Sequence, residues 1–386
     1  MDKQRRDKGD GSIYFRESDQ RWVARYVHSP GSKPKVLYAK TEQEAKKKLR
    51  DYKKEIAKND FVEVRKETVE SYMTRWFNEV KLNDLKPKSQ DGLEATLRNY
   101  IFPYIGDIQI ASITANDIQS MINQLVKKDF SHSTIKKAYD ATNSCFKLGI
   151  IKDEIIKNPC LGARVPKSRG RKKGDIRFLT QEEMEMVCKE SVVRYGNDKL
   201  KHRLGYAVIF LLYSGLRVGE LMGLQWRNID YVNKTINVRE SVVVAKDRTR
   251  KDGDATPVYK LIEQDTVKTS SSERIVHLNK KAIAALKELQ TITGQFAHVM
   301  SSKNGTIIVP RNFDRTLRSI AEQCGVRPFG AHVLRHTYAS MLFKNNVDVK
   351  TISELLGHAD VSVTYNTYIH LIKEQKQQAV DILDNL

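Results

Sequence analysis

The sequence predicts a multidomain fold: a small α+β N-terminal module, an all-α domain, and a mixed, mostly α-helical C-terminal domain. Its 386 residues exceed the length of one typical domain. Short β-type runs near the N-terminus give way to apolar residues at helical spacing. A basic, Gly-containing stretch at residues 165–175 has no apolar period and is typical of a linker. We therefore expect domains at residues 1–66, 67–174 and 175–386.

The N-terminal module is predicted from three short β-type runs followed by a helix. The runs cover residues 12–15, 22–27 and 35–39, and turn residues separate them. A helix follows from about Thr41, where the sequence TEQE resembles a capping box. A basic three-stranded sheet against one helix is compatible with binding DNA, RNA or an acidic protein.

The middle domain is predicted to be almost entirely helical. Its first helix carries a stripe that fits core packing: Val69, Tyr72, Met73, Trp76 and Phe77. The C-terminal domain is predicted to be mixed. Its expected elements are a helix at 180–190, helices across 202–225, a strand-rich stretch at 234–278, and helices to the end.

Composition indicates the class of partner. The chain has 67 Lys and Arg against 47 Asp and Glu, a formal charge of +20, which favours a polyanion such as DNA. A basic protein without such a partner, or one that binds a membrane surface, remains an alternative. The four cysteines show no paired spacing, which argues against a zinc site and a disulfide framework. The opening residues are charged and no stretch has membrane-span length, so we expect a cytoplasmic protein. We also expect no cofactor.

Candidate chemistry begins with two arginines. In SGLRVGE, Gly215 is expected to end an apolar helix, so that Arg217 projects from the start of the next one. In GAHVLRHTYASML, His332 and Arg335 lie three apart and can face one point, whereas His336 is expected to point elsewhere. Arginine stays charged and its planar fork matches a phosphate. Glu220 is interpreted as structural, because a carboxylate on the phosphate would repel it.

The third segment, ELLGHADVSVTYNTYIH, contains His358 after a glycine and two tyrosines, Tyr365 and Tyr368. A free tyrosine has a pKa of about 10, so attack at neutral pH needs neighbouring cations and a base. The Tyr-x-His pattern and the distance from His358 favour Tyr368 as a nucleophile over Tyr365.

These motifs in this order resemble the tyrosine recombinase family, the lambda-integrase-like enzymes, and the domain layout resembles integrases of phages and conjugative transposons. The resemblance implies a C-terminal domain of tyrosine recombinase type and site-specific DNA recombination through a 3′-phosphotyrosine intermediate. It implies that Arg217 and Arg335 hold the scissile phosphate and that His332 assists proton movement. It further implies that His358 hydrogen-bonds a non-bridging oxygen and that Tyr368 attacks phosphorus.

The resemblance also implies a lysine on a β-hairpin as general acid. The stretch EQDTVKTSSSERIVHL resembles that hairpin, and its matching residue is Lys268. Lysines 246, 251 and 260 compete for this role, and a solvent-facing lysine without a catalytic role is the remaining alternative.

The implied partners are double-stranded DNA at core and arm-type sites, a homotetramer on DNA, and DNA-bending proteins of the host or the mobile element. Residues 374–386 carry an apolar stripe: Ala379, Ile382, Leu383 and Leu386. This stripe packs on its own domain or docks onto a neighbouring protomer. The alternatives to a recombinase are a type IB topoisomerase and a non-catalytic DNA-binding regulator.

Overall fold

The computed structural model describes residues 11–27, 34–60, 67–167, 177–249, 258–265 and 274–368. It divides into two compact units, Met1–Ser168 and Arg169–Leu386, which we describe separately. Lys268, most of the basic linker and the C-terminal stripe lie outside the described residues. The boundaries between the three expected domains remain a prediction.

The N-terminal segment contains the predicted three-stranded sheet and helix. The antiparallel strands, in the order β1-β2-β3, and the helix are β1 (Ser12–Arg16), β2 (Arg21–Tyr26), β3 (Lys35–Ala39) and α1 (Glu42–Asp60). The helix begins at the predicted capping sequence, where the Thr41 hydroxyl accepts the Glu44 N–H at 3.2 Å. A small apolar core joins helix and sheet: Ala24, Ala39, Ala45 and Leu49.

The remainder of the first unit is helical, as predicted. Its α-helices are α2 (Val69–Trp76), α3 (Leu82–Asp84), α4 (Pro87–Thr96), α5 (Phe102–Ile105), α6 (Ala115–Lys127) and α7 (His132–Ile151). Wider π-type turns at Phe77–Lys81 and Leu97–Ile101 connect α2 with α3 and α4 with α5. The stripe predicted to pack in the core is buried there throughout.

The second unit is mixed and mostly helical. Its helices are α8 (Gln181–Ser191), α9 (Gly205–Ser214), α10 (Val218–Gly223), α11 (Lys280–Thr293), α12 (Pro310–Gln323), α13 (Ala331–Lys344), α14 (Val349–Leu356) and α15 (361–368). Its strands are β4 (Ile229–Asp230), β5 (Thr235–Val238), β6 (Glu240–Lys246), β7 (Tyr259–Asp265) and β8 (Arg274–His277). Strands β4, β5 and β8 form an antiparallel sheet, and β6 pairs with β7.

Helix α9 lies in the core of this unit because it is apolar on nearly every side. Its residues Val208, Phe210 and Leu211 are completely buried. Gly215 then ends the helix in the left-handed conformation, with φ 66°. A Cβ at this position would collide with the ring of Tyr338, so the turn into α10 depends on glycine.

No helix among the described residues combines the length and apolar character needed to cross a membrane.

Candidate active site

Arg217 is the N-cap residue of α10, as the sequence predicts. Its Nη1 donates to Glu220 Oε1 at 2.8 Å, and its Nη2 donates to the Gly357 carbonyl at 2.9 Å. The Arg217 backbone N–H donates to the second oxygen of the same carboxylate at 2.8 Å. The side chain is nevertheless 40% exposed, so the guanidinium is oriented by the protein and remains accessible to a ligand.

Arg335 lies on α13, 5% exposed, and is held by two backbone carbonyls. Its Nη1 donates to the Gly215 carbonyl at 2.7 Å, and its Nη2 donates to the Leu356 carbonyl at 2.6 Å. Burial and the charge of nearby Arg217 lower the pKa of this guanidinium to about 9, so it remains protonated at neutral pH.

The two arginines therefore meet at the end of α14, where they bond to consecutive carbonyls. Leu356 accepts from Arg335, and Gly357 accepts from Arg217. Gly357 has φ 65°, and a Cβ there would lie 2.7 Å from Arg274 Cδ. The glycine that precedes His358 is thus required both by its backbone conformation and by the close approach of Arg274.

Glu220 is buried and binds two arginines, which agrees with its structural interpretation. Arg274, at the start of β8, pairs with the carboxylate through both terminal nitrogens, at 2.9 and 2.8 Å. Burial alone would raise the pKa of this carboxyl, but the hydrogen bonds and charge of Arg274 and the charge of Arg217 bring it down to about 2. Glu220 is therefore a fixed anion that positions Arg217.

Arg274 lies outside the three motifs that carry the candidate residues Arg217, Arg335 and Tyr368. The sequence feature that could have indicated this arginine is Glu220, because a buried carboxylate requires a cationic partner. The motif around Arg217 supplies one cation, and the sheet supplies the second.

His358 is half-buried directly after Gly357, and its Nδ1 lies 2.7 Å from the hydroxyl of buried Thr364. Burial lowers the pKa of this imidazole to about 4, with further contributions from the charges of Arg335, Arg217, Arg274 and His336. His358 is therefore neutral at neutral pH and lies in a strongly cationic environment.

Tyr368 lies at the end of α15 and is 1% exposed, whereas Tyr365 on the same helix is 40% exposed. The Tyr368 hydroxyl lies 2.7 Å from His336 Nδ1, and its ring packs against Phe343 with centroids 5.2 Å apart. Burial raises the pKa of the phenol, and the charge of Arg335 opposes that rise.

The expectation that His336 points elsewhere is wrong. At 100° per residue, positions four apart on a helix differ by about 40°, so His336 shares a face with His332. His332 itself is exposed in the first turn of α13, and its charge contributes to lowering the pKa of His336. Sequence spacing alone could have placed both histidines on this face.

One group among the described residues has the geometry to hold a metal ion, and it is separate from these side chains. Single ligand atoms of Glu240, Glu263 and His298 lie within 4.8 Å of one another. The Gln225 amide nitrogen approaches this group, 2.6 Å from Glu240 Oε2 and 3.5 Å from His298 Nε2. An ion would have to displace that amide.

The assembled side chains can bind and polarise a phosphate diester. Two oriented arginines, a buried Arg–Glu pair and a neutral histidine lie around the end of α14. A buried phenol on α15 is hydrogen-bonded to a second histidine. Preorganised cations of this kind stabilise the negative charge that accumulates on the oxygens during phosphoryl transfer. The phenol has the chemistry of an oxygen nucleophile, whereas the Glu220 carboxylate is bonded to two arginines.

Comparison with known proteins adds family membership to this geometry. Residues 177–375 match the phage integrase family, and residues 68–126 match the phage integrase N-terminal SAM-like domain. A tyrosine recombinase XerC-like protein of Caldanaerobacter subterraneus subsp. tengcongensis is 31% identical over 367 residues, which cover 91% of this chain and 92% of that protein.

Two solved structures share the fold. One is the Tn1549 transposon integrase in complex with a circular intermediate DNA: TM-score 0.63, 20% identity, 81% of this chain and 99% of that chain covered. The other is a lambda integrase tetramer bound to a Holliday junction: TM-score 0.56, 18% identity, 90% of this chain and 95% of that chain covered.

Proposed function

Since the chain belongs to the phage integrase family of tyrosine recombinases and is a site-specific DNA recombinase, we propose that Tyr368 is its nucleophile. Arg217 and Arg335 hold the scissile phosphate in this proposal. The type IB topoisomerase and the non-catalytic regulator are not favoured, because the relatives are recombinases and integrases.

One observation supports the phosphate-binding role of both arginines: Arg217 and Arg335 bond to consecutive carbonyls at Gly357 and Leu356. Each arginine side chain has five N–H donors. Arg335 uses two of them on the carbonyls of Gly215 and Leu356, and Arg217 uses two on Glu220 and the Gly357 carbonyl. Donors therefore remain for two non-bridging oxygens of one phosphate. Charge-assisted, bidentate bonds of this type are strong and directional, so they fix the phosphate relative to the end of α14.

Cleavage then proceeds by attack of the Tyr368 oxygen on phosphorus. A covalent 3′-phosphotyrosyl bond forms, the bond from phosphorus to the 5′ oxygen breaks, and the reaction reverses when a 5′ hydroxyl attacks. His358 is proposed to donate from Nε2 to a non-bridging oxygen, because its Nδ1 already contacts Thr364. His332 assists proton movement at the nucleophile, and Lys268 protonates the 5′ oxygen.

DNA is the partner, and two features support a division of its recognition among the proposed domains, 1–66, 67–174 and 175–386. The basic excess extends through all three. The sheet face opposite α1 exposes two aromatic and three basic side chains: Tyr14, Tyr38, Arg16, Arg21 and Arg25. We assign this face to arm-type sites, where arginines contact phosphates and aromatic rings contact the groove.

The active assembly is proposed to be a homotetramer on two duplexes. The tetrameric lambda integrase with the same fold supports this stoichiometry. DNA-bending proteins are compatible accessory partners for an enzyme that binds core and arm sites together.

The experiment that tests the nucleophile uses the full chain and nicked core-site substrates that trap the covalent complex. Tyr368→Phe is expected to abolish covalent adducts while DNA binding in a gel-shift assay stays unchanged. Tyr365→Phe is the matched control on the same helix and is expected to form adducts normally. Adducts that persist in Tyr368→Phe, or that are lost only in Tyr365→Phe, would contradict the assignment.

A further inference from the structure

The hydroxyl of Tyr368 contacts His336, four residues beyond the histidine of the His-x-x-Arg motif. The oxygen lies 2.7 Å from His336 Nδ1, a short hydrogen bond, and the two rings meet edge to face with centroids 5.8 Å apart. The contact is shielded, because Tyr368 is 1% exposed and His336 is half-buried. His332, in contrast, is exposed at the start of the helix.

The surroundings of His336 favour a neutral ring that accepts the phenolic proton. Burial lowers the pKa of His336, and the charges of His332 and Arg335 lower it further. A neutral imidazole that carries its proton on Nε2 presents a lone pair at Nδ1. The Tyr368 O–H can donate to that lone pair, so proton acceptor and nucleophile are already aligned within hydrogen-bond reach.

We propose that His336 is the general base of strand cleavage, a role that rests on the proposed function of Tyr368 as nucleophile. As the bond between the Tyr368 oxygen and phosphorus forms, the phenolic proton passes to His336 Nδ1. The bond from phosphorus to the 5′ oxygen breaks, and the general acid protonates that oxygen. On religation the same proton returns from His336 to the departing Tyr368 oxygen.

The charges facing His336 make its basicity depend on the bound phosphate. His332 and Arg335 face it from α13, Tyr368 faces it from α15, and His358 lies close enough for His336 to contribute to lowering the pKa of His358. Without DNA the cations oppose protonation of His336. A phosphate diester bound by Arg335 supplies a compensating negative charge, which raises the affinity of His336 for a proton. The base is therefore strongest when the scissile phosphate is in place.

The test measures single-turnover adduct formation on a nicked core-site substrate from pH 5.5 to 9. His336→Asn keeps a hydrogen-bonding amide near the Nδ1 position but cannot take the proton. We expect this variant to be slowed by about 10²- to 10⁴-fold at pH 7. We also expect it to lose the rise in rate with pH that the wild type shows while His336 deprotonates. His277→Asn removes an exposed imidazole on β8 that lies outside the site, and this control is expected to keep that rise.

A substrate with sulfur in place of the bridging 5′ oxygen separates the base from the acid. The thiolate leaves without protonation, so a variant that lacks only the general acid recovers on this substrate. We expect Lys268→Ala to recover and His336→Asn to remain slow. His336→Ala with added imidazole gives a second measurement, in which added base is expected to restore part of the rate.

The outcomes distinguish the inference from the function on which it rests. If the wild type forms no adduct through Tyr368, the proposed nucleophile fails. If the wild type forms the adduct and His336→Asn matches its rate, or recovers on the sulfur substrate, His336 is not the base. A pH dependence that is lost in His332→Asn but kept in His336→Asn would assign the general-base role to His332. Gel-shift assays show that each variant is folded well enough to bind DNA.

Discussion

Replacing Glu220 by glutamine tests the claim that a fixed carboxylate organises the two arginines around it. The substitution preserves size but removes the charge that binds Arg217 and Arg274. Arg274 has a side chain only 10% exposed, so it would remain as a buried cation without its counter-ion. Removing one partner of a buried ion pair costs about 3–5 kcal/mol.

The pKa of Glu220 gives an independent magnitude for the same loss. It falls from 4.5 to about 2 on folding, and each unit corresponds to about 1.36 kcal/mol, so the ionised form contributes about 3 kcal/mol. Because the folded pKa is the lower one, this contribution is complete above pH 4.5 and is lost as the pH falls toward 2. Glu220→Gln should therefore be less stable by about 3 kcal/mol at pH 7, with a smaller deficit below pH 4.

The assay is urea unfolding of the full chain between pH 3 and 7, followed by hydrogen exchange in peptides from residues 205–249 and 274–300. These peptides report the second unit separately from the first. Glu322→Gln removes an exposed carboxylate on α12 and is expected to change stability by less than about 0.5 kcal/mol. A loss below about 1 kcal/mol at pH 7 in Glu220→Gln, or an unchanged slope between pH 3 and 5, would refute the reasoning.

Three further predictions concern the same site. Arg335→Lys should slow covalent adduct formation at least about 10²-fold with little change in gel-shift affinity, because one ammonium cannot replace a fork held by two carbonyls; a near-normal rate would contradict this. Gly357→Ala should lower the free energy of unfolding by about 1–3 kcal/mol, because alanine is strained at positive φ and its Cβ would collide with Arg274; a melting curve identical to that of the wild type would contradict this. Thr364→Val should cost about 1 kcal/mol and slow cleavage by leaving His358 Nδ1 without its hydroxyl partner, whereas unchanged cleavage would remove the proposed role of that bond.

The local patterns in the sequence predict much of the fold. The three N-terminal strands follow from short runs bounded by turn residues, and the apolar helix before Gly215 follows from composition alone. These elements are determined by residues that are neighbours along the chain, so local sequence patterns predict them. The pairing of β6 with β7 and the separate sheet of β4, β5 and β8 depend on contacts between distant strands, and the sequence predicts only a strand-rich stretch.

The residues of the candidate site likewise divide into those that short motifs predict and those that tertiary contacts place there. Arg217, Arg335, His358 and Tyr368 are recognisable because each lies in a short motif whose order matches the family. Arg274 cannot be predicted from a local motif, because its ion pair with Glu220 spans 54 residues and depends on how β8 packs against α10. His336 directly follows Arg335 but lies four residues after His332, and the helical spacing determines which way its side chain points.

The central claim is that the phenol of Tyr368 becomes covalently attached to the DNA strand whose phosphate the arginines hold. Mass spectrometry of the DNA-linked peptide from trapped wild-type complexes tests it most directly. We predict a single modification on Tyr368, joined to the 3′ phosphate and accompanied by a free 5′ hydroxyl on the released strand. A modification on Tyr365 or any other residue, or attachment to a 5′ phosphate, would contradict the account.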